Sequence, residues 1–172
     1  MIKSMHLKLP FLVAIAINSM VFHSAKSAEN LLGLGGKSIV EKNKDAKIAY
    51  VKLDKQDYRD DVIKDISEKI NLLVLDVSST ETSDRDLQFI SILKNLKHLT
   101  LRGTQVTDAG LQYLAGLNNL QSLSLRNTQI TQKHIDLIIN KRLRYINLKN
   151  TNISFQCLNN LIKENPSLKI DF

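Results

Sequence analysis

Residues 96–119 read LKHLTLRGTQVTDAGLQYLAGLNN, and the spacing inside this stretch decides the fold. Leu96, Leu99 and Leu101 open it, Thr104 and Val106 follow, and Leu111, Leu114 and Leu117 close it. The frame recurs 24 residues later as Leu120, Leu123, Leu125, Thr128 and Ile130, and 23 residues after that as Leu143, Ile146, Leu148, Thr151 and Ile153. Towards the N-terminus it gives Leu72, Leu75, Val77, Thr80 and Thr82, then Ile48, Val51, Leu53 and Gln56. Towards the C-terminus it gives Ile170 and Phe172 as a closing strand. Five units of 23 or 24 residues therefore run from 48 to 172. A fixed period of this size marks a solenoid, in which each unit buries its apolar face against the next.

Each half of the unit has a physical reading. In Leu99-Thr100-Leu101, alternation puts both leucines on one face of a short strand and Thr100 on the other. Thr104 follows where the chain turns off the strand, and its hydroxyl can satisfy backbone groups that the turn leaves unpaired. Thr80, Thr104, Thr128 and Thr151 stack such bonds along the solenoid. Thr107 then caps a helix whose apolar stripe is Leu111, Leu114 and Leu117. Ser83, Thr131 and Ser154 are expected to cap the corresponding helices, Ser83 with Asp86 as a capping box. The inward residues are then Leu87, Ile90 and Leu93, Ile135 and Ile138, and Leu158 and Leu161. Asp84 and Asp108 favour the positive helix start.

This frame resembles the leucine-rich-repeat family, whose core is L-x-x-L-x-L-x-x-N/C/T-x-L, in the Thr-bearing form common in bacterial proteins. The resemblance implies an α/β fold: a leucine-rich-repeat solenoid with a short, curved parallel sheet on the concave side and helices on the convex side, a ribonuclease-inhibitor-like arc. It covers about 125 residues, 48–172, and drifts at its ends, where Gln56 and Thr82 depart from the pattern. Residues 29–47, before the first repeat, are expected to form a cap or a flexible lead, with Leu31, Leu32, Leu34, Ile39 and Val40 available to cover the first face of the core.

Composition agrees. The chain has 172 residues, 43% hydrophobic but only 5% aromatic with no Trp, so its core must be aliphatic. Two Pro and six Gly exclude collagen-like and linker-rich classes. The single cysteine, Cys157, can make neither an internal disulfide nor a Cys-based zinc site alone.

Residues 1–28, MIKSMHLKLPFLVAIAINSMVFHSAKSA, have the three parts of an export signal. Lys3 and Lys8 precede a largely apolar run from Phe11 to Phe22, and small residues follow at Ser24, Ala25, Ser27 and Ala28. Cleavage is expected after Ser27 or Ala28, with a retained anchor as the alternative. The run is shorter than the roughly 20 residues that span a bilayer. Secreted or periplasmic placement follows, with no other membrane contact expected. Removing this segment takes Lys3, Lys8 and Lys26 with it, leaving 21 basic and 17 acidic residues, so the net charge falls from +7 to +4. That weakens a nucleic-acid reading based on overall charge.

Motifs with recognisable chemistry are absent. Gly36-Lys37-Ser38 ends like a phosphate loop, but Leu31 stands where the first glycine is required. His98 and His134 are not spaced as a ligand pair. Cys157 has no base in the frame beside it. Asn152-Ile153-Ser154 is a glycosylation sequon, relevant only in a eukaryotic secretory pathway. No enzyme activity, cofactor or metal is expected.

The outward strand positions remain. In register they read Tyr50, Val74, His98, Ser122, Tyr145 and Lys169; then Lys52, Asp76, Thr100, Ser124, Asn147 and Asp171; then Asp54, Ser78, Arg102, Arg126 and Lys149. Arg102, Arg126 and Lys149 form a basic row about 10 Å long. Thr100, Arg102, Ser124, Arg126, Tyr145, Asn147 and Lys149 are the candidate partner-binding residues, and the expected partner is a protein with an acidic segment. Without interleaved aromatics for base stacking, no nucleic acid is expected. The expectation is an exported protein-binding module, a bacterial secreted or host-directed factor being one form of it. The alternatives are a structural adaptor assembling through the C-terminal strand and a non-catalytic regulatory subunit of an enzyme complex.

Overall fold

The computed structural model describes residues 23–24, 39–42, 48–53, 55, 58, 61–69, 71–139 and 142–172. In chain order the elements are β1 (His23–Ser24), β2 (Ile39–Lys42), β3 (Ile48–Lys52), α1 (Val62–Lys69), β4 (Val74–Asp76), α2 (Asp84–Ile90), β5 (His98–Thr100), α3 (Asp108–Leu114), β6 (Ser122–Ser124), a 3-10 turn (Ile135–Ile138), β7 (Tyr145–Asn147), α4 (Phe155–Glu164) and β8 (Lys169–Asp171). The strands form one sheet in sequence order, parallel from β3 to β8. This is the solenoid that the repeat implies. Helices are about 10 Å wide and parallel strands lie about 4.8 Å apart, so the stack curves with the sheet inside.

Register confirms the frame residue by residue. Leu75 pairs with Leu99, Leu99 with Leu123 and Leu123 with Ile146, and all four are essentially sealed from solvent. The next inward column, Val77, Leu101, Leu125 and Leu148, is equally buried, as is Leu72, Leu96, Leu120 and Leu143. On the helical side Leu87 and Ile90, Leu111 and Leu114, Ile135 and Ile138, and Leu158 and Leu161 complete the core. Phe172 departs from the frame: it is 53% exposed, with the strand ending at Asp171.

The turn off each strand explains the threonines. Thr80, Thr104, Thr128 and Thr151 each donate their hydroxyl to the carbonyl three residues back, at 2.5–2.7 Å. The residue just before each of them, Ser79, Gly103, Asn127 or Asn150, has φ between 55° and 65°. That left-handed step suits Gly and Asn. The bonds between repeats are made by the backbone: Ser79 N–H donates to Arg102 O, Gly103 to Arg126 O and Asn127 to Lys149 O, at 2.8–3.0 Å.

The helix starts also tie one repeat to the next. Asp84 accepts the Thr107 amide at 2.8 Å and its hydroxyl at 2.6 Å; Asp108 accepts the same pair from Thr131, at 2.9 and 2.6 Å. Ser83 and Asp86 form the expected capping pair, the carboxylate accepting both the Ser83 amide and its hydroxyl.

One expectation is corrected. Thr131 does not start an α-helix; His134 takes φ 65° and a 3-10 turn follows. His134 stands at the position that Gly110 fills one repeat earlier. A Cβ at Gly110 would sit 2.4 Å from Asp84 Oδ1 and 2.7 Å from Leu87 Cδ1.

At the other end, β2 pairs antiparallel with β3, and β1 with β2, so the first parallel strand is covered by added strands. Ile39 and Val40 fall in β2. Apart from His23 and Ser24, the expected export segment lies outside the described residues, as do Leu31, Leu32, Leu34, the Gly36-Lys37-Ser38 motif, Asp54 and Gln56.

Candidate functional site

The outward columns line up as read from sequence: His98 beside Ser122, Ser122 beside Tyr145, Thr100 beside Ser124, Ser124 beside Asn147. Their chemistry differs along the sheet. At β7 and β8 the side chains satisfy one another. Lys149 Nζ lies 2.7 Å from Asp171 Oδ1, while the other carboxylate oxygen accepts Asn147 Nδ2 at 3.1 Å and the Tyr145 hydroxyl at 3.3 Å. Asn147 Nδ2 also donates to the Tyr145 oxygen at 3.2 Å, and its own oxygen accepts the Lys149 amide. Burial first, then the Asp171 carboxylate, works to raise the Tyr145 phenol above its ordinary value. Lys149 is thus not a free cation at the end of a basic row. At β4, Asp76 is likewise engaged, accepting the Ser78 amide at 2.9 Å and hydroxyl at 2.5 Å.

Between these two ends lie β5 and β6, where the groups are unsatisfied. Neither Arg102 nor Arg126 forms an ion pair among the described residues, and Arg126 Nε is buried with no hydrogen-bond partner. The Thr100 and Ser124 hydroxyls, half-buried beside them, make no hydrogen bond among the described residues. His98, only 7% exposed, leaves Nδ1 without a partner. A buried polar atom without a partner costs free energy, and Arg126 Nε and His98 Nδ1 are two such atoms in adjacent repeats, whereas Arg102 is exposed to solvent. The centre of the concave face therefore offers two guanidinium groups and two hydroxyls, with no nucleophile–base pair. Among the described residues no group of three or more His, Cys, Asp or Glu could hold a metal ion.

His98 lies in an outward column, and its position between Val74 and Ser122 seals it. Burial, and then the Lys97 ammonium, holds its imidazole below the usual 6.5. Above that value the ring is neutral folded and unfolded, and the linkage is silent. As pH falls below it, the unfolded chain takes up a proton that the folded chain refuses, so stability drops until the lowered folded value is passed. Urea midpoints between pH 7.5 and 5 should fall more steeply for the wild type than for His98→Gln; equal slopes would contradict this.

Residues 94–137 match the family model for leucine-rich repeats (2 copies). That segment carries leucine-rich repeats, and the described residues have the leucine-rich-repeat solenoid fold. Among solved structures this chain is similar to internalin C2 from Listeria monocytogenes, with 22% identity and a TM-score of 0.50 over 90% of this chain and 76% of that one. It is also similar to a leucine-rich-repeat protein of Leptospira interrogans, with 24% identity and a TM-score of 0.48. That match covers 63% of this chain but only 27% of the length of the Leptospira protein. No curated protein sequence matches at a significant level. The likeness to internalin C2 shows the fold. Leucine-rich repeats are protein-interaction modules, and their stacked strands make an extended concave binding surface. Among the described residues no helix is long and apolar enough to cross a membrane.

Proposed function

We propose that this chain is an exported protein-binding module that grips an acidic segment of its partner at the centre of the concave face, with a host-directed bacterial factor as one form of that role. The observation that carries the reading is the contrast along the sheet. Arg102, Arg126, Thr100 and Ser124 have no side-chain partners, whereas Tyr145, Asn147 and Lys149 are engaged with Asp171. The binding site is accordingly centred on β5 and β6, and the β7 residues form its wall. An Arg pair on adjacent strands suits carboxylates, which accept two parallel hydrogen bonds from one guanidinium. Export is supported by the n-region, apolar run and small-residue ending of residues 1–28.

Affinity capture with the mature chain as bait, using two double variants, tests this. Arg102→Glu with Arg126→Glu should reduce recovery of the partner at least tenfold. Lys133→Glu with Lys163→Glu, the same charge change at exposed positions on the helical side, should leave it unchanged. Equal capture by both variants would refute the concave site. The export reading has a separate test: the mature N-terminus should be Ala28 or Glu29, and a chain retaining Met1 in the cytoplasm would overturn it.

A further inference from the structure

Charge is divided unevenly along the chain. Residues 87–163 carry ten basic and two acidic side chains, a net of +8, whereas residues 29–86 carry ten basic and thirteen acidic, a net of −3. The two acids of the basic section, Asp108 and Asp136, both lie in first turns on the helical side, and Asp108 is held by Thr131. Nothing acidic from this section faces the sheet.

The cations form two rows, not one. Arg102 and Arg126 lie where the chain leaves β5 and β6. At the opposite end of the strands, Lys97 and Arg144 flank Gln121 in a hydrogen-bonded column: Gln121 N–H donates to Lys97 O, and Arg144 N–H to Gln121 O, each at 2.8 Å. Lys97 and Arg144 are exposed, and neither has an ion-pair partner among the described residues. Five residues separate the Lys97 column from the Arg102 column, about 16 Å at 3.3 Å per residue. The floor between them on β5 and β6 is His98, Thr100, Ser122 and Ser124, without Phe, Tyr or Trp.

We propose that these rows are two rails, and that the occupant is an acidic α-helix of the partner, lying along the solenoid axis with carboxylates on both flanks. This rests on the reading of the concave face given above and adds the partner's shape and charge pattern. A helix with its side chains is about 10–12 Å across, so it fits between the rails and reaches both. Asp76 on β4 lies beyond one end of the rails, and at the other end Lys149 is taken up by Asp171 on β8, so the free cations stop there. The attractive span from β5 to β7 is about 10 Å, close to two helical turns. A single-stranded nucleic acid would want stacking aromatics on the floor; β5 and β6 supply none, and Tyr145 on β7 is the one aromatic of the span, its hydroxyl held by Asp171 and Asn147.

Two side-chain-bridged helical peptides of identical composition are the probes, one with Glu on opposite flanks and one with every Glu on a single flank; a poly-dT oligonucleotide is the third. Fluorescence anisotropy at low salt on the full chain should show the two-flank peptide binding at least tenfold tighter than the one-flank peptide. Lys97→Glu with Arg144→Glu should erase that advantage, bringing the two-flank peptide down to the affinity of the one-flank peptide. Arg102→Glu with Arg126→Glu should weaken both peptides. The Lys97→Gln, Arg144→Gln pair gives the same readout if the reversed pair does not fold. Equal affinity for the two peptides, or no effect at Lys97 and Arg144, overturns the two-rail inference while the concave site stands on Arg102 and Arg126. No effect at either pair overturns both. Tighter binding of the oligonucleotide than of either peptide overturns the helix in favour of a polyanion.

Discussion

Leu123→Ala should lower the unfolding free energy by about 2–5 kcal/mol, the range for emptying a fully buried leucine site. Leu123 is completely buried, and its strand pairs on one side with the strand of Leu99 and on the other with that of Ile146. A solenoid is stabilised by interfaces between neighbouring repeats, so a cavity in the middle strand weakens two interfaces at once. The fall should therefore exceed that for Leu168→Ala, since Leu168 retains 8% exposure near the last strand. Urea unfolding followed by circular dichroism would measure both, and an equal or smaller loss at Leu123 would contradict the packing described.

Gly110→Ala should be destabilising by about 2–3 kcal/mol, although alanine is the better helix former by about 1 kcal/mol. Its new methyl would fall 2.4 Å from Asp84 Oδ1 and 2.7 Å from Leu87 Cδ1. Asp84 is the acceptor for the Thr107 amide and hydroxyl, so moving its carboxylate loosens the tie between two repeats. The double variant Asp84→Ala, Gly110→Ala separates the causes. Without the carboxylate the methyl has room, and the second substitution should cost much less than it does alone. Additive losses in the thermal or urea midpoints would show that the clash is not with Asp84.

The period of the sequence carried the whole parallel sheet. Leucine columns, the turn threonines and the outward columns all fell in the register read from spacing, because a strand offers just two faces and the frame repeats with one-residue accuracy. What spacing did not carry were effects between side chains on neighbouring repeats. Asp84 and Asp108 read as ordinary helix-start acids; their second role, holding the next repeat's threonine, depends on how adjacent helices pack. The close approach of Asp84 and Leu87 to Gly110 is likewise visible only once adjacent helices are packed. Lys149 read as the third member of a basic row, but Asp171 reaches it from the next strand. For that reason the proposed site is centred on β5 and β6, with the β7 residues as its wall. His98 stands in that patch because burial, which no spacing rule reports, left its Nδ1 without a partner.

The central claim is that the centre of the concave face binds a protein. Amide hydrogen exchange of the chain, free and with its captured partner, tests it directly. The account predicts added protection in the segments 97–102 and 121–126, with α2 and α3 unchanged. Protection confined to Asp84–Ile90 and Asp108–Leu114, with the β5 and β6 segments unaltered, would place binding on the helical side and contradict it.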